Sequence, residues 1–255
     1  MEKAGSNFYF SGTSGLVVPL PNKQVFPPEY RDKPRLTYYA SLFNSIEVNS
    51  SFYKVPMAAT VRKWAESVPD NFKFTYKLWR EITHYKGLVF NPADVARFMQ
   101  TISQAGDKRG SLLVQFPASI TIAYLPQMQV LLQEIRKADL AGEWHIAIEF
   151  RSRSWYNNDI YSMLKEYQMG VVLHDMPASA TPMLEQDAQF VYLRFHGPKG
   201  DYRGGYNDGF LAEYAQYIHA WQQEGKTVYA YFNNTMGDAV HNLATLNRYV
   251  SENLT

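Results

Sequence analysis

Charged side chains stand near the ends of short apolar runs throughout this sequence, where they could perform acid–base chemistry or bind an anion. Carboxylates can give or take a proton, and arginine binds carboxylate or phosphate through two parallel hydrogen bonds. Because an ionised group buried without a partner is costly, we expect the acids to lie opposite the bases. The set consists of Glu47, Glu149, Asp175, Lys77, Arg151 and Arg194. Such a ring predicts either an active site or a structural network of ion pairs.

The candidates for proton transfer are two glutamates and two histidines. Glu149 is the first choice for the catalytic acid or base, because an arginine and a tryptophan follow it closely. Glu47 is the alternative, and His196 or His84 would carry a proton to or from the substrate. These residues predict general acid–base catalysis, of a hydrolase or lyase type, on an unknown substrate.

Cations, amides and aromatic rings in the same segments could bind that substrate. Lysine and arginine hold an anion, and an aromatic ring that stacks on a base contributes roughly 1–3 kcal/mol. The combination indicates a phosphate- or carboxylate-bearing sugar or nucleotide. The predicted binding residues are Lys77, Arg151, Arg194, Asn49, Gln115, Tyr53, Trp155, Tyr202, Tyr206, Asn233 and Asn234.

Several kinds of site are excluded by what the sequence lacks. There is no cysteine, so thiolate nucleophiles and cysteine-ligated metals are excluded. No P-loop, G-x-G-x-x-G or H-E-x-x-H motif is present, and GTSGL at Gly12–Leu16 does not match a nucleophile elbow. Four side chains on separate runs could still gather a divalent metal, but no spacing supports this: His84, Glu149, Asp175 and His196. We therefore predict no metal site, and the sequence names no cofactor.

Eight short β-rich runs must position these side chains. Several runs are apolar almost throughout, which is typical of parallel strands covered on both faces. Between them, apolar residues recur with the i, i+3, i+4, i+7 spacing of an amphipathic helix, first from Leu36 to Phe43. The runs begin at Phe8, Ile46, Phe72, Ser111, His145, Gly170, Phe190 and Thr227. This alternation predicts an α/β fold, a TIM-type (β/α)8 barrel.

Capping residues predict where two of the helices begin. Asn91 followed by Pro92 gives an N-cap and a proline at the first helical position. Asp208 could cap a later helix, which Gly225 could end. Between these two helices, Asn158 precedes a further apolar stripe of helical spacing.

The length of 255 residues matches the roughly 250 residues of a typical barrel, so we predict one domain over residues 1–255. The sixth strand–helix unit departs from the pattern, because only about fourteen residues, two of them prolines, separate Asp175 from Phe190. We expect a shortened or irregular loop there in place of a helix. In such barrels the catalytic residues lie at the C-terminal ends of the strands, where the polar side chains named above stand.

The charge balance limits the partners. Lys plus Arg is 25 and Asp plus Glu is 24, so the net charge of +1 excludes a uniformly basic surface but allows a local basic cleft. The hydrophobic share of 46% excludes extensive disorder. No run approaches the roughly 20 apolar residues of a membrane span, and no signal peptide is recognisable, so we expect a cytoplasmic protein without a membrane partner. A small anionic substrate is the expected partner and nucleic acid is a further one, while no pattern specifies the oligomeric state.

Seven segments carry a resemblance to a known family, and together they span nearly the whole chain. They are SGTSG at Ser11–Gly15, YYASLFNSIEVNSSFYKVP at Tyr38–Pro56, FKFTYKLWREITH at Phe72–His84, LLVQFP at Leu112–Pro117, AIEFRSRSW at Ala147–Trp155, VYLRFHG at Val191–Gly197 and YFNNTMGDAVHNLATL at Tyr231–Leu246. On these segments the chain resembles the domain of unknown function 72 (DUF72, YecE-like) family. The resemblance implies a TIM barrel and brings no established activity, cofactor or catalytic residue.

Three interpretations of the function stay open at this point. The first is an enzyme that acts on an anionic, sugar- or nucleotide-like substrate at the C-terminal mouth of the barrel. The second is a metal-dependent endonuclease or phosphodiesterase, which requires a bound metal. The third is a module that binds nucleic acid or a protein partner without turnover.

Overall fold

Eight parallel β-strands form the wall of a barrel. The computed structural model describes residues 9–183 and 188–252 of the chain. The strands in these ranges are β1 (Tyr9–Thr13), β2 (Ser45–Val48), β3 (Lys73–Lys77), β4 (Arg109–Phe116), β5 (His145–Phe150), β6 (Gly170–His174), β7 (Phe190–Phe195) and β8 (Thr227–Phe232). They pair in the order β1-β8-β7-β6-β5-β4-β3-β2, and every pair is parallel. The predicted TIM-type barrel and its eight strands are confirmed.

Helices alternate with these strands along the chain. The α-helices in the described ranges are α1 (Arg35–Leu42), α2 (Ser50–Tyr53), α3 (Ala58–Glu66), α4 (Arg80–Thr83), α5 (Pro92–Ile102), α6 (Leu125–Ala138), α7 (Asn158–Glu166), α8 (Asp208–Gln223) and α9 (Ala239–Glu252). Short 3-10 helices lie at Lys23–Val25, Pro28–Tyr30, Lys86–Leu88, Ser103–Lys108, Ile122–Tyr124 and Arg153–Trp155. None of the helices in the described ranges is long and apolar enough to cross a membrane.

Asparagine side chains cap three of the helices. Asn91 caps α5 as predicted. The N-cap of α8 is Asn207, so the predicted cap is wrong, because Asp208 is already the first residue of the helix. Asn157 caps α7, and Asn158 is the first residue of that helix. In α7 and α8 the backbone of the cap is extended and its side chain accepts a hydrogen bond from the backbone N–H three residues on.

The sixth unit is irregular, as predicted. After β6, the described residues form a turn at 177–179 and contain no helix before β7, while residues 184–187 lie outside the described ranges. The loop folds back on the strand that it leaves, because Thr181 N–H donates to the carbonyl of His174 at 3.0 Å.

The barrel closes between β1 and β2, where the backbone pairing seen in the described residues is one bridge, between Ser14 and Glu47. A side chain completes this seam. The hydroxyl of Tyr39, on α1, accepts a hydrogen bond from Thr13 N–H at 2.7 Å and donates one to the carbonyl of Ser45 at 3.0 Å. The Tyr39 hydroxyl thus replaces direct hydrogen bonds between the backbones of β1 and β2.

Asn44 bridges the same seam further from the mouth. Its side-chain carbonyl accepts from Ser11 N–H, and its side-chain N–H donates to the carbonyl of Tyr9, both at 2.9 Å. Between these bridges, a Cβ on Gly12 would lie 2.0 Å from the carbonyl oxygen of Ser45. Because no carbon can approach a carbonyl oxygen so closely, the seam requires glycine at this position.

Aromatic side chains fill the barrel interior below the mouth. Its apolar cluster consists of Phe10, Leu113, Ala147, Val172, Phe190, Tyr192, Tyr229 and Tyr231. The Tyr231 hydroxyl lies 2.6 Å from Ser45 Oγ and 2.7 Å from Thr75 Oγ1, at the transition to the polar layer. Part of the high aromatic content of the sequence is therefore core packing.

Candidate functional site

The charged residues of the predicted ring reach the barrel interior from the C-terminal halves of different strands. Glu47 stands one residue before the end of β2, and Lys77 ends β3. Glu149 and Arg194 each precede the last residue of their strands, β5 and β7. All four side chains are buried, with at most 7% of the residue exposed. Their charges must therefore be compensated inside the protein.

Arg194 joins the two glutamates. Its Nε and Nη2 donate to the two carboxylate oxygens of Glu47 at 3.0 and 2.8 Å, and its Nη1 donates to Glu149 Oε2 at 3.0 Å. The hydroxyls of Ser14 and Tyr192 donate two further hydrogen bonds to Glu47. Glu47 is thus held by a bidentate ion pair and two hydroxyls, a geometry that fixes both partners.

A second arginine pairs with Glu149 from the other side. Arg151 Nε donates to Glu149 Oε1, its Nη1 contacts Met176 Sδ, and its Nη2 lies 2.9 Å from His196 Nε2. Arg194 Nη1 lies 3.1 Å from the same histidine nitrogen. Because a guanidinium group only donates, Nε2 must accept, and the imidazole of His196 is neutral with its proton on Nδ1.

Asp175 holds His196 in this tautomer. Its Oδ1 accepts from the backbone N–H of His196 at 2.7 Å and lies 3.3 Å from Nδ1. The Tyr206 hydroxyl donates to Oδ2 and accepts from Gly197 N–H at 2.6 Å. The expectation that Asp175 pairs with a lysine or arginine of the ring is wrong, because a histidine and a tyrosine occupy its two oxygens.

The protonation states of the glutamates are fixed near neutral pH. Burial raises the pKa of each carboxyl, but the charge of Arg194 on Glu47, and of Arg151 and Arg194 on Glu149, outweighs it. The pKa of Glu47 is lowered, and that of Glu149 lies well below its ordinary range. Both carboxylates are therefore weak bases with their oxygens engaged, so they are suited to positioning arginine. Their catalytic role stays a prediction.

His196 is also held in one protonation state. Burial, and then the charge of Arg194, lower its pKa to about 4 against the hydrogen bond to Asp175. It stays neutral at physiological pH and links Asp175 to the two arginines. A proton relay through His196 stays a prediction.

Lys77 differs from the rest of the ring. Through the described part of the chain its ammonium forms no ion pair or hydrogen bond, and Nζ lies 4.0 Å from the centre of the Phe52 ring. Burial, and then the charge of Arg194, lower the pKa of Lys77 to about 7, although Glu149 and Glu47 oppose the shift. Lys77 can therefore give or take a proton at neutral pH.

Four side chains lie around the ring of Phe52, which belongs to α2. We call this group the Phe52 cluster, and it consists of Lys77, Phe52, Tyr53, Arg80 and His84. The Arg80 guanidinium carbon lies 6.0 Å from the ring centre of Phe52, and the His84 ring centre lies 4.8 Å from it. Tyr53 packs edge-on at 5.1 Å and is 64% exposed. Burial, and then Lys77 and Arg80, lower the pKa of His84 to about 4. The basic side chains of Lys77 and Arg80, a neutral imidazole and an exposed aromatic ring thus lie together at the mouth of the barrel.

The predicted aromatic binding residues divide into two groups. Tyr53 and Tyr202 are exposed, the latter by 36%. Trp155 is fully buried, its indole N–H donates to the carbonyl of Ile120 at 2.7 Å, and its ring stacks on phenylalanines of β4 and β5. Tyr206 is buried with its hydroxyl on the Asp175 carboxylate. In this structure only Tyr53 and Tyr202 of these four present a free ring face.

The predicted amide residues are also spread out. Asn234 Nδ2 donates to the carbonyl of Gly204 at 2.9 Å and to Asn242 Oδ1 at 3.0 Å, so it ties the loop after β8 to the loop after β7. The side-chain carbonyl of Asn234 has no partner among the described residues. Asn233, beside it, is buried.

Asn49 and Gln115 lie on different sides of the strands. Asn49 lines a cavity of about 230 Å³ with Trp64, apart from the ion pairs. Gln115 stands opposite Glu149 in the β4–β5 ladder and is half-buried. Of the two residues, Gln115 is the one that lies next to the charged residues of the site.

Sequence reasoning missed four contacts of the site. Tyr192 stands two residues before Arg194, and strand alternation places both on one face, so this signal was present. Ser14 belongs to the GTSG run after β1. Met176 and Arg80 follow strand ends in segments without a periodic pattern, so no sequence signal identifies them.

The hypothesis of a metal site can be compared with the donor arrangement. Within residues 9–183 and 188–252, no group of three or more His, Asp or Glu side chains is arranged to hold a metal ion. Two of the four residues considered, Glu149 and Asp175, have their carboxylates engaged with arginine, and with histidine and tyrosine, respectively.

Replacing Lys77 by methionine is expected to stabilise the protein by about 1–3 kcal/mol, because a polar group buried without a hydrogen-bond partner costs about that much. The gain should be larger at pH 6 than at pH 9. The pKa of Lys77 is about 7 in the folded protein and higher in the unfolded chain. Between these two pKa values the unfolded chain binds more protons, so the stability of the wild type rises with pH. Thermal unfolding at both pH values measures the gain. Lys54→Met, at an exposed lysine, is the control, and an equal gain at both pH values would contradict the prediction.

Comparisons with known sequences give relatives along the whole chain. The profile of a family described as "Protein of unknown function DUF72" matches residues 10–255. The UPF0759 protein YunF of Bacillus subtilis is 26% identical over 254 residues, covering 86% of this chain and 87% of that protein. The UPF0759 protein YecE of Escherichia coli K12 is 28% identical over 121 residues, or 48% of this chain and 43% of that protein.

Solved structures agree on the fold. A DUF72 family protein of Thermotoga maritima superposes with a TM-score of 0.77 at 21% identity, covering 95% of this chain and 99% of the other. A DUF72 family protein of Enterococcus faecalis gives a TM-score of 0.76 at 21% identity, over 96% and 98% of the two chains.

Proposed function

The chain belongs to the DUF72 family, and from that premise we propose that it is an enzyme acting on an anionic, phosphate- or carboxylate-bearing sugar- or nucleotide-like substrate at the C-terminal mouth of the barrel. The reaction would use general acid–base chemistry. The observation that carries the proposal is the Phe52 cluster, where a lysine without an acidic partner among the described residues meets an arginine, a histidine and an exposed tyrosine.

The charge distribution supports an anionic substrate. Glu47 and Glu149 are already paired with two arginines, so among the described residues no carboxylate is left to pair with the ammonium form of Lys77. Arg80 is half exposed and its nearest acid, Glu81, lies 3.9 Å away on the surface, where such pairs are weak. A substrate phosphate or carboxylate would therefore find uncompensated positive charge at the cluster.

The acid–base assignment follows from the protonation states. A general acid or base works best when its pKa lies near the working pH, and the pKa of Lys77 is about 7. In this proposal Lys77 transfers the proton, Glu47 and Glu149 hold Arg194 and Arg151, and Tyr53 stacks on the sugar ring or base. Tyr202, Gln115 and Asn233 would contact the remainder of the substrate.

The proposal predicts that phosphorylated ligands bind and that Arg80→Gln weakens them tenfold to a hundredfold. Losing one hydrogen bond to a charged group costs about 1.5–3 kcal/mol, which is roughly that factor in Kd. Thermal shift and calorimetry with glucose 6-phosphate and AMP, each against its unphosphorylated form, measure the effect.

The matched control is Arg62→Gln, an exposed arginine on α3 that hydrogen-bonds Gln104. It should bind like the wild type. The proposal fails if no phosphorylated ligand raises the unfolding temperature, or if Arg80→Gln and Arg62→Gln bind equally well.

A further inference from the structure

We infer that Lys77 is a nucleophile that forms a covalent imine with a carbonyl carbon of the substrate, so that the substrates are anionic aldehydes or ketones. This inference rests on the proposed function and deepens it by naming the reactive group of the substrate. It is carried by the placement of Lys77 at the strand end, by the lack of an acidic partner within residues 9–183 and 188–252, and by the surrounding charges.

The position of Lys77 is suited to a covalent intermediate. The residue ends β3, a rigid strand whose C-terminal end opens on the mouth, so its amine is held in a fixed place. Its Nζ packs on the Phe52 ring, and no carboxylate of the described residues binds it. Lys77 is 7% exposed, so a small part of the residue stays in contact with solvent. We expect a carbonyl compound that enters the mouth to meet Nζ there.

The surroundings keep a share of this amine unprotonated, which imine formation requires. Burial, Arg194 and Arg151 disfavour the ammonium form, whereas Glu149 and Glu47 favour it, and the balance brings the pKa of Lys77 to about 7. Arg80 and the neutral His84 also lie beside the Phe52 ring. Near pH 7 the protonated and neutral forms of Lys77 then coexist, whereas roughly one in a thousand or fewer of ordinary lysines is neutral. Neighbouring cations and desolvation activate lysine nucleophiles in this way.

The bond changes balance without an added oxidant or reductant. The lone pair of Nζ attacks the carbonyl carbon, the C=O π electrons move to oxygen, and a proton passes from nitrogen to that oxygen to give a carbinolamine. The C–O bond then breaks, the hydroxyl takes one proton from solvent and leaves as water, and nitrogen keeps a double bond to carbon as an iminium ion. The iminium carries one positive charge, as the protonated form of Lys77 does, so Glu149 and Glu47 favour it as they favour that form.

The test traps this iminium. Wild-type protein is incubated with glyceraldehyde 3-phosphate or with glyceraldehyde, treated with cyanoborohydride, and digested for peptide mass spectrometry. Hydride adds to the iminium carbon and leaves a secondary amine on the labelled lysine. We expect Lys77 to be labelled at least tenfold faster than the exposed Lys54, with a rate that rises with pH through a midpoint near 7. Lys77→Arg and Lys77→Met should lose this label while retaining cooperative unfolding.

The outcomes separate the two proposals. Labelling that is spread evenly over exposed lysines, or a Lys77 peptide that stays unmodified while glyceraldehyde 3-phosphate raises the unfolding temperature, overturns the imine inference and leaves the proposed anion site standing. Equal labelling of Lys77 by both aldehydes supports the nucleophile and contradicts the anion site. Labelling of Lys77 that is at least tenfold faster with the phosphorylated aldehyde supports both.

Discussion

Replacing Arg194 by methionine is expected to lower the free energy of unfolding by roughly 3–5 kcal/mol, the cost of breaking a buried ion pair from one side. Arg194 is 1% exposed and donates to both buried glutamates. Methionine fills much of the space but leaves Glu47 without its bidentate partner, so this carboxylate must take up a proton or admit water. Since whole domains are stable by about 5–15 kcal/mol, the loss is a large fraction of the total.

Urea denaturation at pH 7, followed by circular dichroism, measures this loss. Arg62→Met, on the surface of α3, is the control and should change stability by no more than about 0.5 kcal/mol. Adding Glu47→Gln to Arg194→Met should recover part of the loss, because the unpaired charge is then removed. A loss below about 1 kcal/mol in the single variant would contradict the assigned role of the ion pairs.

Replacing Gly12 by alanine is expected to cost roughly 3 kcal/mol or more, at the upper end of overpacking. The new Cβ would lie 2.0 Å from the carbonyl oxygen of Ser45 and 2.7 Å from the Tyr39 hydroxyl. A backbone carbonyl cannot rotate away as a side chain can, so β1 and β2 must separate. That movement also breaks the two hydrogen bonds through which Tyr39 joins the strands.

The matched control for this substitution is Gly209→Ala in α8. The nearest atom to a Cβ there is Asn207 Oδ1, at 3.4 Å, and alanine favours a helix over glycine by up to about 1 kcal/mol. The control should be neutral or slightly stabilising, while Gly12→Ala should lower the unfolding temperature by several degrees. Equal unfolding temperatures for the two variants would show that the β1–β2 seam tolerates a wider spacing.

The fold was predictable because its signal is local. Parallel strands buried on both faces read as apolar runs, and each run of this chain became a strand. The run from Ile46 shows the limit of that reasoning. The prediction extends this run to Tyr53, but β2 ends at Val48 and Ser50–Tyr53 forms α2, which brings the Phe52 ring to Lys77. Asn49, Ser50 and Ser51 favour turns, so the end of the strand was indicated locally. The contact between Phe52 and Lys77 was not indicated, because it depends on packing between two strand ends.

The sequence predicted which charged residues form the site, but only partly which of them pair with one another. Arg194 pairs with Glu47 from 147 positions away in the sequence, across the barrel interior. Which strands face one another there depends on strand tilt and stagger, which no local pattern records. For this reason the ring of charged residues was foreseen, whereas its pairing was not: Asp175 contacts His196, and Lys77 pairs with no acid in the part of the chain that the structure describes.

One junction of the barrel wall, between β1 and β2, is held together differently from the others. Of the junctions between neighbouring strands in the described residues, seven are backbone ladders, and the eighth depends largely on the side chains of Tyr39 and Asn44. The backbone amides of Ser11 and Thr13 are thus held by side chains and not by a ladder. We expect these protons to exchange with water by local fluctuation, before those of central strands. Because Glu47 lies at this same junction, we expect the same fluctuation to admit water to the ion-pair layer.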